Sequence, residues 1–101
     1  MSLDASICAK KPIRCPDCQK IVFYEDLDNT LNTGGHCLRD VLKQIGYGDE
    51  QYGMWIQLSP EQATTFAEAC IREDRYSARE IEQLVAYAIY KGYQIFLEAD
   101  W

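Results

Sequence analysis

Ten basic and sixteen acidic side chains give this 101-residue chain a formal net charge of -6, and 48% of its residues are hydrophobic. A chain of this length is expected to fold as one domain, 1–101, with a small core. Its acidic balance disfavours nonspecific binding to a nucleic-acid backbone. Because no apolar leader follows a basic start and no stretch approaches the roughly 20 apolar residues that span a bilayer, we expect a cytoplasmic protein.

Five cysteines are an odd number, which predicts reduced thiols or metal ligands rather than a disulfide framework. Two of them form the C-x-x-C of Cys15-Pro16-Asp17-Cys18, and Gly34-Gly35-His36-Cys37 follows with the only histidine of the chain. Zinc takes four thiolate or imidazole ligands in a tetrahedron, and a C-x-x-C turn supplies two of them. The predicted ligands of a structural Zn²⁺ ion are Cys15, Cys18, His36 and Cys37.

Alternatives remain open at this predicted metal site. His36 and Cys37 are adjacent, so one ion would take only one of them, and Cys8 is then the substitute ligand. A competing interpretation makes the thiols small packed residues without a metal. A third is redox chemistry, because residues 15–18 resemble the motif of thioredoxin- and glutaredoxin-like proteins. Those proteins place a helix after the motif, whereas the apolar run at 21–24 favours a strand.

Short β-branched and aromatic runs flank the motif at 13–15 and 20–24. A zinc ribbon begins with two strands joined through such a turn, so residues 13–37 resemble a zinc ribbon and are predicted to form a zinc knuckle. Residues 1–12 show no periodicity and are predicted to be a flexible arm. Residues 25–35 are polar and glycine-containing, which predicts a loop.

The rest of the chain, 38–101, is predicted to be an α+β body. Helical spacing of apolar residues predicts a helix over 36–45, and 47–53 is expected to be a turn. Alternating apolar residues predict strands over 54–58 and 93–97.

Two capping boxes predict two further helices. Ser59 and Gln62, with proline at the first helical position, predict a helix over 60–73. Ser77 and Glu80 predict a helix over 78–91. The expected fold is therefore α+β, a small sheet with three helices and an N-terminal zinc-ribbon-like knuckle.

No enzyme motif is present: the sequence contains no H-E-x-x-H, no G-x-x-x-x-G-K-S/T and no G-x-G-x-x-G. We therefore expect a non-enzymatic binding or regulatory protein, such as an inhibitor or adaptor of nucleic-acid-handling machinery. The first alternative is a zinc-ribbon nucleic-acid adaptor that uses Lys10, Lys11, Arg14 and Lys20. The second is a C-x-x-C thiol oxidoreductase.

Acidic loops are the expected contact with a protein partner that has a basic surface. The partner-binding residues predicted from charge are Glu25, Asp26, Asp28, Asp49 and Glu50. Ordinary solvated loops are the competing interpretation, because acidic residues commonly serve only solubility. If the acidic loops bind nothing, the apolar surface around Trp55 and Trp101 is the next candidate.

Overall fold

The computed structural model describes residues 3–100, without the side chains of residues 27–29 and 36. In chain order the elements are β1 Asp4–Arg14, β2 Ile21–Gly34, a 3-10 helix His36–Leu38, α1 Arg39–Gln44, a 3-10 helix Asp49–Gln51, β3 Ile56–Leu58, α2 Pro60–Arg72, α3 Ala78–Lys91 and β4 Gln94–Asp100. This is the predicted α+β arrangement of a small sheet and three α-helices.

The sheet has four antiparallel strands in the order β2-β1-β4-β3. The pairing of β1 with β4 stops at Lys10 and Gln94, whereas β1 and β2 remain paired as far as Arg14 and Ile21. Residues 11–25 therefore project beyond the sheet as a two-stranded hairpin, which we call the hairpin arm. The projection contributes to an elongated shape of 47 × 28 × 21 Å.

The helices pack on one face of the sheet, and the core lies between the helices and the sheet. β1 and β4 supply its small and aliphatic residues from alternate positions, because side chains of a strand alternate between the two faces. The buried residues on these strands are Ala5, Ile7, Ala9, Ile95, Leu97 and Ala99. Phe66 of α2 and Ile81 of α3 are both 0% exposed and fill the space above them.

The capping box predicted at the start of α2 is confirmed. The Gln62 amide donates to Ser59 Oγ at 3.1 Å, and the Ser59 amide donates to Gln62 Oε1 at 2.8 Å. The Gln62 Nε2 group also donates to the carbonyl oxygen of Ile45 at 2.8 Å, so the cap attaches α2 to the end of α1.

The second predicted capping box does not form, although α3 spans the predicted residues 78–91. Ser77 has a φ of 61° and makes no side-chain capping bond. A capping serine needs an extended backbone. The short connection between α2 and α3 instead holds Ser77 in the left-handed region.

Two expectations for the N-terminal part differ from the structure. Residues 4–12 are not a flexible arm but form most of β1, a central strand. Leu3, Ala5, Ile7 and Ala9 are buried at every second position, but two of them are alanines, which makes the strand pattern hard to recognise in the sequence. Residues 25–34 are not a loop but the second half of β2. An edge strand tolerates polar side chains because one face and one edge meet water, and β1 supplies its hydrogen bonds.

Candidate functional site

The face of the sheet opposite the core is a candidate binding surface, and we call it the open face. Side chains of β1, β2 and β4 that alternate with the core positions lie on it. They surround an open cavity of about 520 Å³ together with Trp55, which precedes β3. The lining residues on which the site depends are Cys8, Lys10, Tyr24, Asp26, Trp55 and Phe96.

Three aromatic side chains lie on the open face: Tyr24, Trp55 and Phe96. Tyr24 and Phe96 meet edge to face, with ring centroids 6.4 Å apart and an angle of 89° between the rings. Tyr24 and Trp55 are each 45% exposed. Large aromatic side chains are usually more buried than this. The open face therefore presents apolar surface that the described residues do not cover.

Polar groups of the open face lie beside these rings. Lys10 Nζ is 3.9 Å from Asp26 Oδ1, and both side chains are well exposed, so the ion pair is screened by water and contributes little stability. Burial raises the pKa of the Cys8 thiol, Lys10 opposes this and Asp26 adds to it. Cys8 therefore stays protonated at neutral pH and is a poor nucleophile.

A hydroxyl inserted into the sheet holds Trp55 in place. The pairing of β3 with β4 ends at Ile56 and Leu97, so Met54 and Ala99, two positions further along, lie beyond the ladder. The Tyr47 hydroxyl bridges that pair: it accepts from the Ala99 amide at 2.8 Å and lies 2.8 Å from the Met54 carbonyl oxygen, to which it can donate. The bridge fixes the chain immediately before Trp55 against β4.

The C-x-x-C motif lies at the tip of the hairpin arm. The Cys15 amide donates to the Lys20 carbonyl and the Gln19 amide donates to the Cys15 carbonyl, both at 2.9 Å. Gln19 takes a left-handed φ of 62°, which closes the turn. Amide donation from Cys18 and Asp17, followed by the Cys18 side chain, lowers the pKa of the Cys15 thiol. The predicted strand, turn and strand around the motif are therefore present.

The structure does not bring the four predicted zinc ligands together. Cys15 and Cys18 lie at the tip, whereas His36 and Cys37 begin the 3-10 helix after the other end of β2. Because β1 extends over ten residue steps of about 3.3 Å beside β2, the two pairs are roughly 30 Å apart. Cys8 lies on β1, seven residues before Cys15, and is roughly 20 Å away from it by that rise.

Within residues 3–100 no group of three or more histidine, cysteine and acidic side chains is placed to hold a metal ion. Zinc binding by the chain therefore remains a prediction, and the knuckle of 13–37 is not one closed metal site. The predicted ligands are close in the sequence, but the hairpin separates the two pairs in space.

The acidic residues predicted to bind a partner do not form one patch. Asp26 lies on the open face, whereas the neighbouring Glu25 belongs to the other face, near Tyr93, where it adds to the effect of burial in raising the pKa of that tyrosine. Asp49 and Glu50 begin the 3-10 helix Asp49–Gln51. The Gly53 amide, two residues after this helix, donates to the Ala99 carbonyl near the C-terminal end of β4. The side chain of Asp28 and the whole of Trp101 lie outside the described residues.

Sequence reasoning named Trp55 as a surface candidate but missed Tyr24 and Phe96. The signal was present for Phe96, because the apolar face of the predicted strand 93–97 uses the odd positions and leaves this ring on the other side. Tyr24 could not be placed without knowing that β2 pairs with β1 and brings it to Phe96.

Comparison of the chain with protein-family models, with curated proteins and with solved structures gives no match. In the part of the chain that the structure describes, no helix is long and apolar enough to cross a membrane. Inference about function therefore depends on the residues of the open face and of the hairpin arm.

Proposed function

We propose that this chain is a non-enzymatic binding protein that captures a basic segment of a protein partner on its open face. The observation that carries the proposal is the set of three aromatic side chains, Tyr24, Trp55 and Phe96, around a cavity on an uncovered sheet. Such a protein regulates its partner by occupying the partner's basic site. This role fits an inhibitor or adaptor of nucleic-acid-handling machinery, whose binding sites are basic.

The chemistry of the cavity matches a lysine- or arginine-containing segment. Aromatic residues are enriched at the centres of protein interfaces, where they bury large areas with few rotatable bonds to order. A cation over a tyrosine or tryptophan ring gains about 0.5–2 kcal/mol. Asp26 at the edge of the cavity supplies a carboxylate for the same cation, because its pair with Lys10 is long and exposed.

Charge favours protein over nucleic acid as the occupant. Because strand side chains alternate between the two faces, Asp4, Glu98 and Asp100 lie on the open-face side of β1 and β4. Among the residues that line the cavity, only Lys10 is basic. Stacking of bases on aromatic rings would need nearby cations for the phosphates. Of the basic residues considered for a nucleic-acid adaptor, Arg14 instead donates to the Gln19 carbonyl at 2.9 Å within the tip.

The proposal is tested by capturing a partner with tagged protein and measuring its affinity for variants of the open face. The test variant is the double change Tyr24→Ser and Trp55→Ser. Its matched control is Tyr76→Ser with Tyr90→Ser, two tyrosines that are 78% and 81% exposed on the helical side. We expect the test variant to bind at least about tenfold more weakly, the loss of roughly 1.4 kcal/mol, and the control to bind as the parent does.

Loss of binding in the control variant, with full binding in the open-face variant, would refute the proposal. Nuclease treatment before capture separates the alternative occupant, because a nucleic-acid bridge is lost on digestion and a direct protein contact is not.

A charge pair of variants locates the acidic contribution. Asp26→Asn should weaken binding and reduce the dependence of binding on salt, whereas Glu25→Gln should change neither. The reason is that, of these two carboxylates, Asp26 lies on the open face and Glu25 does not. Equal effects of the two changes would show that general negative charge, rather than the open face, attracts the partner.

A further inference from the structure

The tip of the hairpin arm contains two thiols that are already close together. Cys15 and Cys18 belong to one C-x-x-C turn, and such a turn brings its two sulfur atoms towards one point. The turn is held by the bonds from Cys15 to Lys20 and from Gln19 to Cys15. The tip is therefore arranged as one half of a tetrahedral thiolate site.

The other half is not supplied by the same chain. Cys8 and Cys37 lie at the distances given above, and Cys70 is buried in the core with 0% exposure. The backbone of His36 belongs to the 3-10 helix at the far end of β2. Structural zinc sites are closed by four protein ligands, so a two-thiol tip is incomplete alone.

The position of the tip leaves it accessible to a second copy of the chain. The arm projects from one end of a molecule 47 Å long, and Cys18 at its tip is exposed. Beside the tip, Val22 and Phe23 are 60% and 58% exposed, a pair of apolar side chains on an edge strand. Exposed apolar side chains on an unpaired edge strand provide a surface that a second chain can cover.

The charges of two tips match those of a four-thiolate zinc centre. Zn²⁺ with four thiolates has a net charge of minus two. Each tip brings Arg14 and Lys20 against Asp17, so two tips together bring a net of plus two. Neutralisation of this kind offsets the cost of placing four thiolates around one ion.

We propose that the hairpin tips of two copies of this chain bind one Zn²⁺ ion between them, with Cys15 and Cys18 of each copy as the four ligands. On binding, four S–H bonds break, four Zn–S bonds form and four protons pass to solvent, while zinc stays in the +2 state and no electron is transferred. The site joins two chains end to end and leaves both open faces free. It is independent of the function proposed above.

The test titrates Zn²⁺ into metal-free, full-length protein under a non-thiol reductant. Native mass spectrometry and sedimentation velocity then give the zinc count and the mass. We expect one zinc per two chains, a mass that doubles with zinc, and a return to monomer with EDTA. Co²⁺ in place of Zn²⁺ should give the intense visible bands of tetrahedral cobalt and the thiolate-to-cobalt charge transfer of four sulfur ligands.

The paired variants are Cys18→Ser and Cys37→Ser, both at exposed cysteines. Cys18→Ser should abolish zinc-dependent dimerisation and the cobalt spectrum, whereas Cys37→Ser should leave both unchanged. Circular dichroism checks that each variant is folded.

Several results would overturn the inference. They are one zinc held by each monomer, a dimer that forms without zinc and persists in EDTA, loss of zinc in Cys37→Ser, and the absence of zinc binding by folded, reduced protein. A dimer that appears only when the reductant is omitted would indicate a disulfide between tips instead, and would also overturn it.

Discussion

Removing the Tyr47 hydroxyl should destabilise the protein by an amount that the structure allows us to estimate. Tyr47 and Ala99 are each 1% exposed, and the Ala99 amide donates to this hydroxyl at 2.8 Å where β3 no longer pairs. Tyr47→Phe keeps the ring but leaves that amide buried without a partner. A buried donor left without an acceptor costs about 1–3 kcal/mol.

This loss is measurable in a domain of about 100 residues, where each kcal/mol lowers Tm by about 4–8 °C. Urea denaturation followed by circular dichroism measures the free energy of unfolding, with an unchanged m-value expected. The control is Tyr90→Phe, whose ring is 81% exposed and should change stability by less than about 0.5 kcal/mol. Hydrogen exchange should also be faster at the Ala99 amide in Tyr47→Phe. A stability equal to that of the control, with unchanged exchange at Ala99, would refute the bridge.

Three further predictions concern the core and the caps. Phe66→Ala should lower the free energy of unfolding by about 3–5 kcal/mol, because this side chain is 0% exposed between helix and sheet; a loss below about 1 kcal/mol in urea denaturation would contradict its central place. Ser59→Ala should cost about 0.5–2 kcal/mol through the lost cap of α2, and Ser77→Ala, where no capping bond exists, should cost less in the same assay. Burial raises the pKa of Cys70 to about 11 from a usual 9.0, so the folded state keeps this proton longer than the unfolded state. The associated stability is complete below pH 9.0 and is lost as pH rises towards 11, and urea midpoints measured across this range should fall less steeply in Cys70→Ala.

The elements best predicted from the sequence are those with local signals. α2 begins where the Ser59 box places it, because the cap involves only residues that are neighbours in the chain. α3 also has its predicted ends, although its capping box does not form, since the apolar stripe and Gly92 at its C-terminus are sufficient.

The central strand was missed because its evidence is non-local. Ala5 and Ala9 are weak strand formers and become buried only when α3 and β4 lie against β1. Likewise, the polar second half of β2 is extended because β1 pairs with it, which overrides the local preference of its residues for a loop.

The candidate sites show the same limit. A C-x-x-C turn between two strands could be predicted from residues 13–24 alone. The distance from that turn to Cys37 could not be predicted, because it depends on the length of β2, and the apolar run that indicates a strand ends at Tyr24. The open face depends on three strands, and only Trp55 on it was named in advance.

The most direct test of the open face as the binding surface is hydroxyl-radical footprinting of the protein alone and with its captured partner. Oxidation is quantified at individual aromatic side chains by mass spectrometry. We predict protection of Tyr24 and Trp55, which are each 45% exposed in the free chain, and unchanged oxidation of Tyr76 and Tyr90. Protection of Tyr76 and Tyr90 with full oxidation of Tyr24 and Trp55 would contradict the account.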